Sequence, residues 1–150
     1  MANTYSNLLY HVIFSTKGRL PLISASRKED LYKYIGGIVR NERGTLVELG
    51  GMPDHVHLVL RCKTDTSIAD IVRHIKGGSS KWLNERLGNA DKFGWQTGYG
   101  VFSVSESQLS HVIGYIRNQE SHHRKTTFQE EFLDFLKINN VEFDDQYLWN

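Results

Sequence analysis

Eight residues near the middle of the chain, Pro53-Asp54-His55-Val56-His57-Leu58-Val59-Leu60, constrain the fold more than any others. Proline fixes φ and aspartate favours turns, so Pro53-Asp54 reads as a turn feeding a strand. Side chains alternate across a strand, which puts His55 and His57 on one face and Val56, Leu58 and Leu60 on the other. Same-face Cα atoms lie about 6.5–7 Å apart, a spacing from which two imidazoles can converge on one metal ion. A pair of satisfied or exposed rings is the alternative, and the strand alone does not decide between them.

The elements around this strand follow from periodicity and punctuation. Leu8 to Thr16 is an apolar, aromatic and β-branched run, the first strand. Ser26-Arg27-Lys28-Glu29 has capping-box form, with Leu31, Ile35, Ile38 and Val39 at helical spacing up to Asn41–Gly44. Thr45 to Leu49 makes a second strand, which Gly50-Gly51 loosens into the Met52-Pro53-Asp54 turn. The histidine strand, His55 to Arg61, returns from it as a hairpin. Ser67-Ile68-Ala69-Asp70 caps a long amphipathic helix running through Trp82 and Leu83. Gly77-Gly78 interrupts it, through a kink or through close approach of another backbone or of nucleic acid. Tyr99 to Val104 is a fourth strand. Ser105-Glu106-Ser107-Gln108 caps a helix to about His122, and Thr127-Phe128-Gln129-Glu130 caps a last one with Phe128, Phe132, Phe135 and Leu136 on one side. The tail from Val141 carries Phe143, Tyr147, Leu148 and Trp149, too apolar to float free. The order β-α-β-β-α-β followed by helices predicts an α+β fold in one domain, residues 1–150. Its core is a ferredoxin-like antiparallel sheet with helices on one face plus C-terminal helices.

Composition narrows the class. With 39% hydrophobic and 23% charged residues the chain is globular. It holds no apolar run of the roughly 18 residues that a membrane span needs, and no secretory signal is evident from Met1 to Asn7. The single cysteine, Cys62, excludes an internal disulfide and suits a reducing cytoplasm. The net charge of +1 hides an asymmetry. Residues 1–86 hold 13 Lys/Arg against 8 Asp/Glu, and residues 87–150 hold 5 against 9. The basic part is compatible with a phosphate backbone as partner. The acidic stretch from Glu130 to Asp145 reads as a solvated face.

The helix from Ser107 to His122 repays plotting at about 100° per residue. Leu109, Val112, Ile113 and Ile116 form one apolar stripe. His111, Tyr115, Gln119 and His122 form a second, about 110° away, with Tyr115 and Gln119 one turn apart. A boundary tyrosine with its hydroxyl in water is the plain reading of that helix taken alone. Taken with Met52-Pro53-Asp54-His55-Val56-His57-Leu58, the words Gly114-Tyr115-Ile116-Arg117-Asn118-Gln119 resemble the IS200/IS605-type single-tyrosine (HUH) transposases of small insertion sequences. The segments His122–Glu131 and Tyr147-Leu148-Trp149 also look like that family's closing segment, so the resemblance covers nearly the whole chain.

The resemblance implies a DNA transposase that cuts and rejoins single-stranded DNA at hairpin-marked element ends. His55, His57 and Gln119 would hold a divalent ion, Mg²⁺ or Mn²⁺, and Tyr115 would attack phosphorus to give a 5′-phosphotyrosine link and a free 3′-OH. A phenol with a pKa of about 10 needs a cation or base to become a nucleophile at neutral pH. Such a link conserves the bond energy, so a 3′-OH can rejoin DNA without ATP. The family further implies a homodimer in the cytoplasm, with neither a membrane nor a small molecule as partner. Lys17, Arg19, Arg73, Lys76, Lys81, Arg124 and Lys125 are the candidate DNA contacts, with Trp82 or Trp95 stacking unpaired bases. Two other classes stay open: a metal-dependent phosphodiesterase using water, and a non-catalytic or domesticated module that binds hairpin nucleic acid.

Overall fold

The computed structural model describes residues 3–87 and 92–149. Four strands form one antiparallel sheet in the order β2-β3-β1-β4, where β1 is Leu8–Ser15, β2 Thr45–Met52, β3 His55–Cys62 and β4 Gly100–Val104. Strands β3 and β1 are central, and β3 is buried on both sides except at Arg61. The alternation of the His55–Leu60 run therefore serves two separate layers.

On one side Val12, Phe14, Val56, Leu58 and Leu60 pack against α1 (Ala25–Asn41) and α2 (Ile68–Leu87) through Leu31, Ile35, Val39, Ile71, Val72 and Ile75. Each fully buried side chain of this size contributes about 1.5–3 kcal/mol of transfer free energy. The other side is closed by the C-terminal helices, α3 (Leu109–Arg117), α4 (Gln119–His122) and α5 (Phe128–Ile138). There the apolar packing splits into two clusters. Leu9, Val59 and Ile116 form one, and Ile13, Phe102, Phe128, Phe132 and Leu136 the other. The buried polar side chains of His11, His55, His57, Gln119 and Glu131 belong to this same layer.

The turn that delivers His55 is clamped from both sides. Thr16 N donates to Asp54 O at 2.9 Å and Ile23 N donates to Pro53 O at 2.9 Å. The second bond also explains where α1 begins. Ile23 is buried and tied to the turn, so the helix starts at Ala25 with Ser24 as its N-cap, ahead of the expected Ser26. The other expected caps of full helices stand: Ser67 Oγ accepts from Asp70 N, and Thr127 and Glu130 make a reciprocal capping box.

Three segments differ from expectation. Strand β2 runs on through Gly50-Gly51 to Met52. A Cβ on Gly50 would lie 2.9 Å from the Ile116 carbonyl oxygen, so glycine is what lets α3 rest on the strand. Helix α2 is continuous through Gly77-Gly78, and Gly78 makes room for Ile38 of α1, whose Cδ1 would lie 2.9 Å from an added Cβ. The helix expected from Ser105 to His122 is a 3-10 turn at Glu106–Gln108, then α3, then α4 after a bend at Asn118. Asn118 N still donates to Gly114 O at 3.1 Å and His122 N to Asn118 O at 3.0 Å, so the helical path bends without being severed. The tail is half anchored. Leu148 and Trp149, in and beside the short α6 (Asp145–Leu148), pack on the α5 cluster, whereas Tyr147 is 65% exposed.

Candidate active site

His55 and His57 project from β3 into the layer under α4 and α5, and both are fully buried. Each ring is oriented from behind. His55 Nδ1 donates to Asp54 Oδ1 at 2.7 Å, which leaves the Nε2 lone pair pointing inward. His57 Nδ1 lies 2.8 Å from His11 Nε2, and its own Nε2 lies 2.9 Å from Glu131 Oε1. Such rear partners set the tautomer and the ring orientation of ligating histidines.

The bend at Asn118 aims one stripe of the helical path at these rings. Gln119 Oε1 lies 3.0 Å from His55 Nε2 and 3.0 Å from His123 Nε2. His123 Nδ1 donates to the Thr126 carbonyl at 2.6 Å, so its Nε2 also presents a lone pair, 3.2 Å from Glu131 Oε2. Glu131 Oε1 stands 3.4 Å from His55 Nε2. One donor atom each from His55, His57, His123 and Glu131 falls within 4.8 Å of all the others.

This donor set fits a metal cation. Imidazole nitrogens, an amide oxygen and carboxylate oxygens face one another, atom types that shared protons or a cation can hold together. Four of their separations, at 2.9–3.4 Å, also match ligands about 2.1 Å from a common ion, which stand roughly 3.0–3.4 Å apart.

Tyr115 reaches the same cluster within one chain. Its hydroxyl donates to Glu131 Oε2, and its ring lies 5.7 Å from that of His57 and 5.0 Å from that of His122. Burial, and then the Glu131 carboxylate, push the phenol well above its usual range, so it keeps its proton here. Burial works against charge on Glu131. The hydrogen bond and charge of His57, with the Tyr115 hydroxyl, outweigh it and hold the carboxyl below its usual range. Burial lowers His57 in spite of Glu131. Burial, and then His57, hold His11 at about 3. Among the described residues no buried side-chain nitrogen or oxygen lacks a hydrogen-bond partner.

The structure brings together all four residues singled out in the sequence, His55, His57, Tyr115 and Gln119, and adds three. Glu131 sits at the centre of the network, which corrects the reading of the Glu130–Asp145 stretch as a solvated face: it is 2% exposed. Its signal was a carboxylate inside the Phe128-Phe132-Phe135 stripe. His123 continues the Tyr115-Gln119 series by another four residues, and His11 shares a face with Leu9 and Ile13 in an otherwise apolar strand.

The candidate DNA contacts divide. Arg19, Arg124 and Lys125 line one groove beside His123. Arg73 pairs with Asp70 at 2.9 Å, and Lys81 is exposed on the same helix, α2, across the sheet from the histidines. Lys76 Nζ donates to the carbonyls of Gln96 and Gly98 at 2.6 and 2.9 Å, which gives it a loop-holding role, and burial lowers it to about 8. Lys17 is exposed, with its backbone N–H bonded to Gly94 O. Neither tryptophan offers a free face. Trp95 is core, with Nε1 on Ser79 Oγ, and Trp82 stacks on Tyr34 at 4.8 Å beneath Arg86.

Comparison with known proteins places this geometry. The family described as Transposase IS200 like matches residues 4–119. The chain is 28% identical over 119 residues to the ISDra2 transposase TnpA of Deinococcus radiodurans, covering 75% of this chain and 84% of that one. A transposase crystal structure from the same organism superposes with a TM-score of 0.65 at 29% identity, covering 79% of this chain and 95% of that one. The REP-associated tyrosine transposase bound to a REP hairpin shares the fold, with a TM-score of 0.61 at 16% identity over 82% and 73% of the two chains. With its ferredoxin-like sheet closed on one face by the helices that follow β4, this chain belongs to the IS200-like transposase family.

Proposed function

We propose that this transposase cuts and rejoins single-stranded DNA at hairpin-marked ends of an insertion sequence, with Tyr115 as nucleophile and a 5′-phosphotyrosine intermediate. The observation that carries the reading is the hydrogen bond from the Tyr115 hydroxyl to Glu131, the carboxylate that also engages His57. Membership of the IS200-like family supports it, as does the kinship of fold with a transposase bound to hairpin DNA.

His55, His57 and Gln119 would hold a divalent ion, Mg²⁺ or Mn²⁺, with His123 and Glu131 as further donors. Such an ion would supply positive charge to offset the charge that develops on the phosphate. Asp54 and His11 fix the rings of His55 and His57 from behind. Glu131 orients the phenol by accepting its hydrogen bond. Without a cation the phenol stays protonated, since burial and Glu131 both oppose the phenolate. Phe135, edge-on to Tyr115 at 5.6 Å, shields that side of the ring from water. Arg19, Arg124 and Lys125 contact DNA phosphates, and the protein works as a homodimer in the cytoplasm.

Mixing the protein with labelled hairpin-bearing single-stranded DNA and Mn²⁺ tests the reading. The expected result is an SDS-resistant protein–DNA adduct that EDTA abolishes and duplex DNA does not form. Metal-dependent cutting that persists in Tyr115→Phe would instead mark a phosphodiesterase using water.

A further inference from the structure

Tyr115 and the donor cluster reach solvent toward two faces, and among the described residues the openings at Tyr115 share no lining residue with the one at His123. On the Tyr115 side are a pocket of about 160 Å³ walled by Tyr115, His122, Glu131, Asp134, Phe135 and Ile138 and an opening of about 730 Å³ along α3 and α4 that shares Tyr115 and His122 with it. On the other is a groove of about 610 Å³ between the β1–α1 loop, the β2–β3 turn and the α4–α5 connection. The groove touches the cluster through His123 and through Asp54, whose carboxylate accepts from His55. Arg19, Arg124 and Lys125 line it, with Asp54 as the opposing carboxylate.

The arginine at its edge is built into place. Arg19 has φ 58, directly after Gly18 at φ 66. Its guanidinium lies over the Trp149 ring at 5.4 Å and reaches the Trp149 carbonyl at 3.4 Å. Left-handed backbone at a bulky residue persists only where its surroundings impose it, and such residues gather at functional sites. Arg124 and Lys125 are exposed and follow His123 directly in the chain.

We propose that this groove holds the DNA segment released when the strand is cut, and that the segment left attached lies on the Tyr115 side. The inference rests on Tyr115 being the nucleophile. An in-line displacement sets the attacking and departing oxygens on opposite sides of phosphorus. The Tyr115 oxygen–phosphorus bond forms and the phosphorus–oxygen bond to the departing nucleoside breaks. The phenol proton passes to water, and the departing oxygen takes one back from water and leaves as a hydroxyl. A phenol approaching from the small-pocket side directs that oxygen toward the groove. After the cut no covalent bond holds the released segment. The groove cations keep it near the phosphotyrosine, so that the same hydroxyl, or one exchanged for it, can attack in reverse.

The test uses hairpin-bearing single-stranded DNA with randomised flanks, Mn²⁺, and a fluorophore on one side of the cut or the other. In Arg124→Ala/Lys125→Ala, retention of the released segment should lose about 1.4 from its log–log salt slope, two contacts at about 0.7 each on a single strand. The rejoined fraction of cut molecules should fall with it, and the attached segment should show no such change. Arg19→Ala should add to the loss and Arg19→Lys should recover part of it. Because Arg124 and Lys125 are exposed, the double variant keeps the test independent of folding at Arg19. Equal salt slopes, or a loss that follows the attached segment, would overturn the groove assignment and leave the tyrosine chemistry standing. Absence of any adduct in the unaltered protein would overturn both.

Discussion

On one side of the sheet Val56, Leu58 and Leu60 meet α1 and α2 in an aliphatic and aromatic layer. On the other side His55 and His57, one residue out of phase, meet α4 and α5 among an amide, a carboxylate and a phenol. Both layers pack against β3, which supplies buried side chains to each. The aliphatic layer is held by area and shape, which tolerate volume-conserving exchange. The polar layer is held by matched donors and acceptors at low dielectric, where removing one member leaves its partner buried and unpaired. One strand thus separates what keeps the chain folded from what lets it react.

The sharpest way to break that contrast is to truncate neighbours on β3. His57→Ala should weaken Mn²⁺ binding, read by calorimetry, by more than the roughly 10–100-fold that an outer-shell partner is worth, and abolish cutting with the fold retained. Leu58→Ala should cost about 2–5 kcal/mol of stability in denaturant unfolding and leave Mn²⁺ affinity within a few fold. Comparable metal loss in both variants would erase the distinction.

Acid should act chiefly through the polar layer. Burial holds His11 at about 3 and also lowers His57, against an ordinary value of 6.5. Below pH 6.5 the unfolded chain binds protons that the folded chain refuses, so stability is full above about 6.5 and falls as pH drops toward 3. Each such group contributes a slope of about 1.4 kcal/mol per pH unit. The lowered carboxyl of Glu131 has the same sign, giving stability that is present above its ordinary 4.5 and lost below it. Melting in EDTA across this range should show the decline, and His11→Gln should make it shallower by one group.

A subtler perturbation reaches the site through the strand edge. Gly50→Ala places a Cβ against the Ile116 carbonyl and should push α3, with Tyr115, off β2. A cost of about 1–3 kcal/mol is expected for such overpacking. Adduct formation should fall more than Mn²⁺ affinity does, since the histidines stay on β3.

The same contrast explains what could be read in the sequence. The aliphatic layer follows from period-2 and period-3.6 patterns, and those periods put the two histidines on one face and Tyr115 with Gln119 on one stripe; that they form one site followed from the family resemblance. Glu131 escaped because it lies in an acidic run, and only its place between Phe128 and Phe132 in the stripe betrays it. His123 read as part of a connection because the bend at Asn118, which turns it inward, depends on how close β2 comes at Gly50. That approach is tertiary, and no local propensity encodes it. The same holds for Lys76 and Trp95, whose roles were settled by the Gln96–Gly98 carbonyls and by Ser79.

Peptide mapping of the denatured protein–DNA adduct by mass spectrometry tests the central claim most directly. The account predicts a single modified peptide that carries a nucleotide phosphate on Tyr115 and is missing from Tyr115→Phe. Cut DNA with free phosphate ends and no modified peptide, or a nucleotide on any other residue, would contradict it.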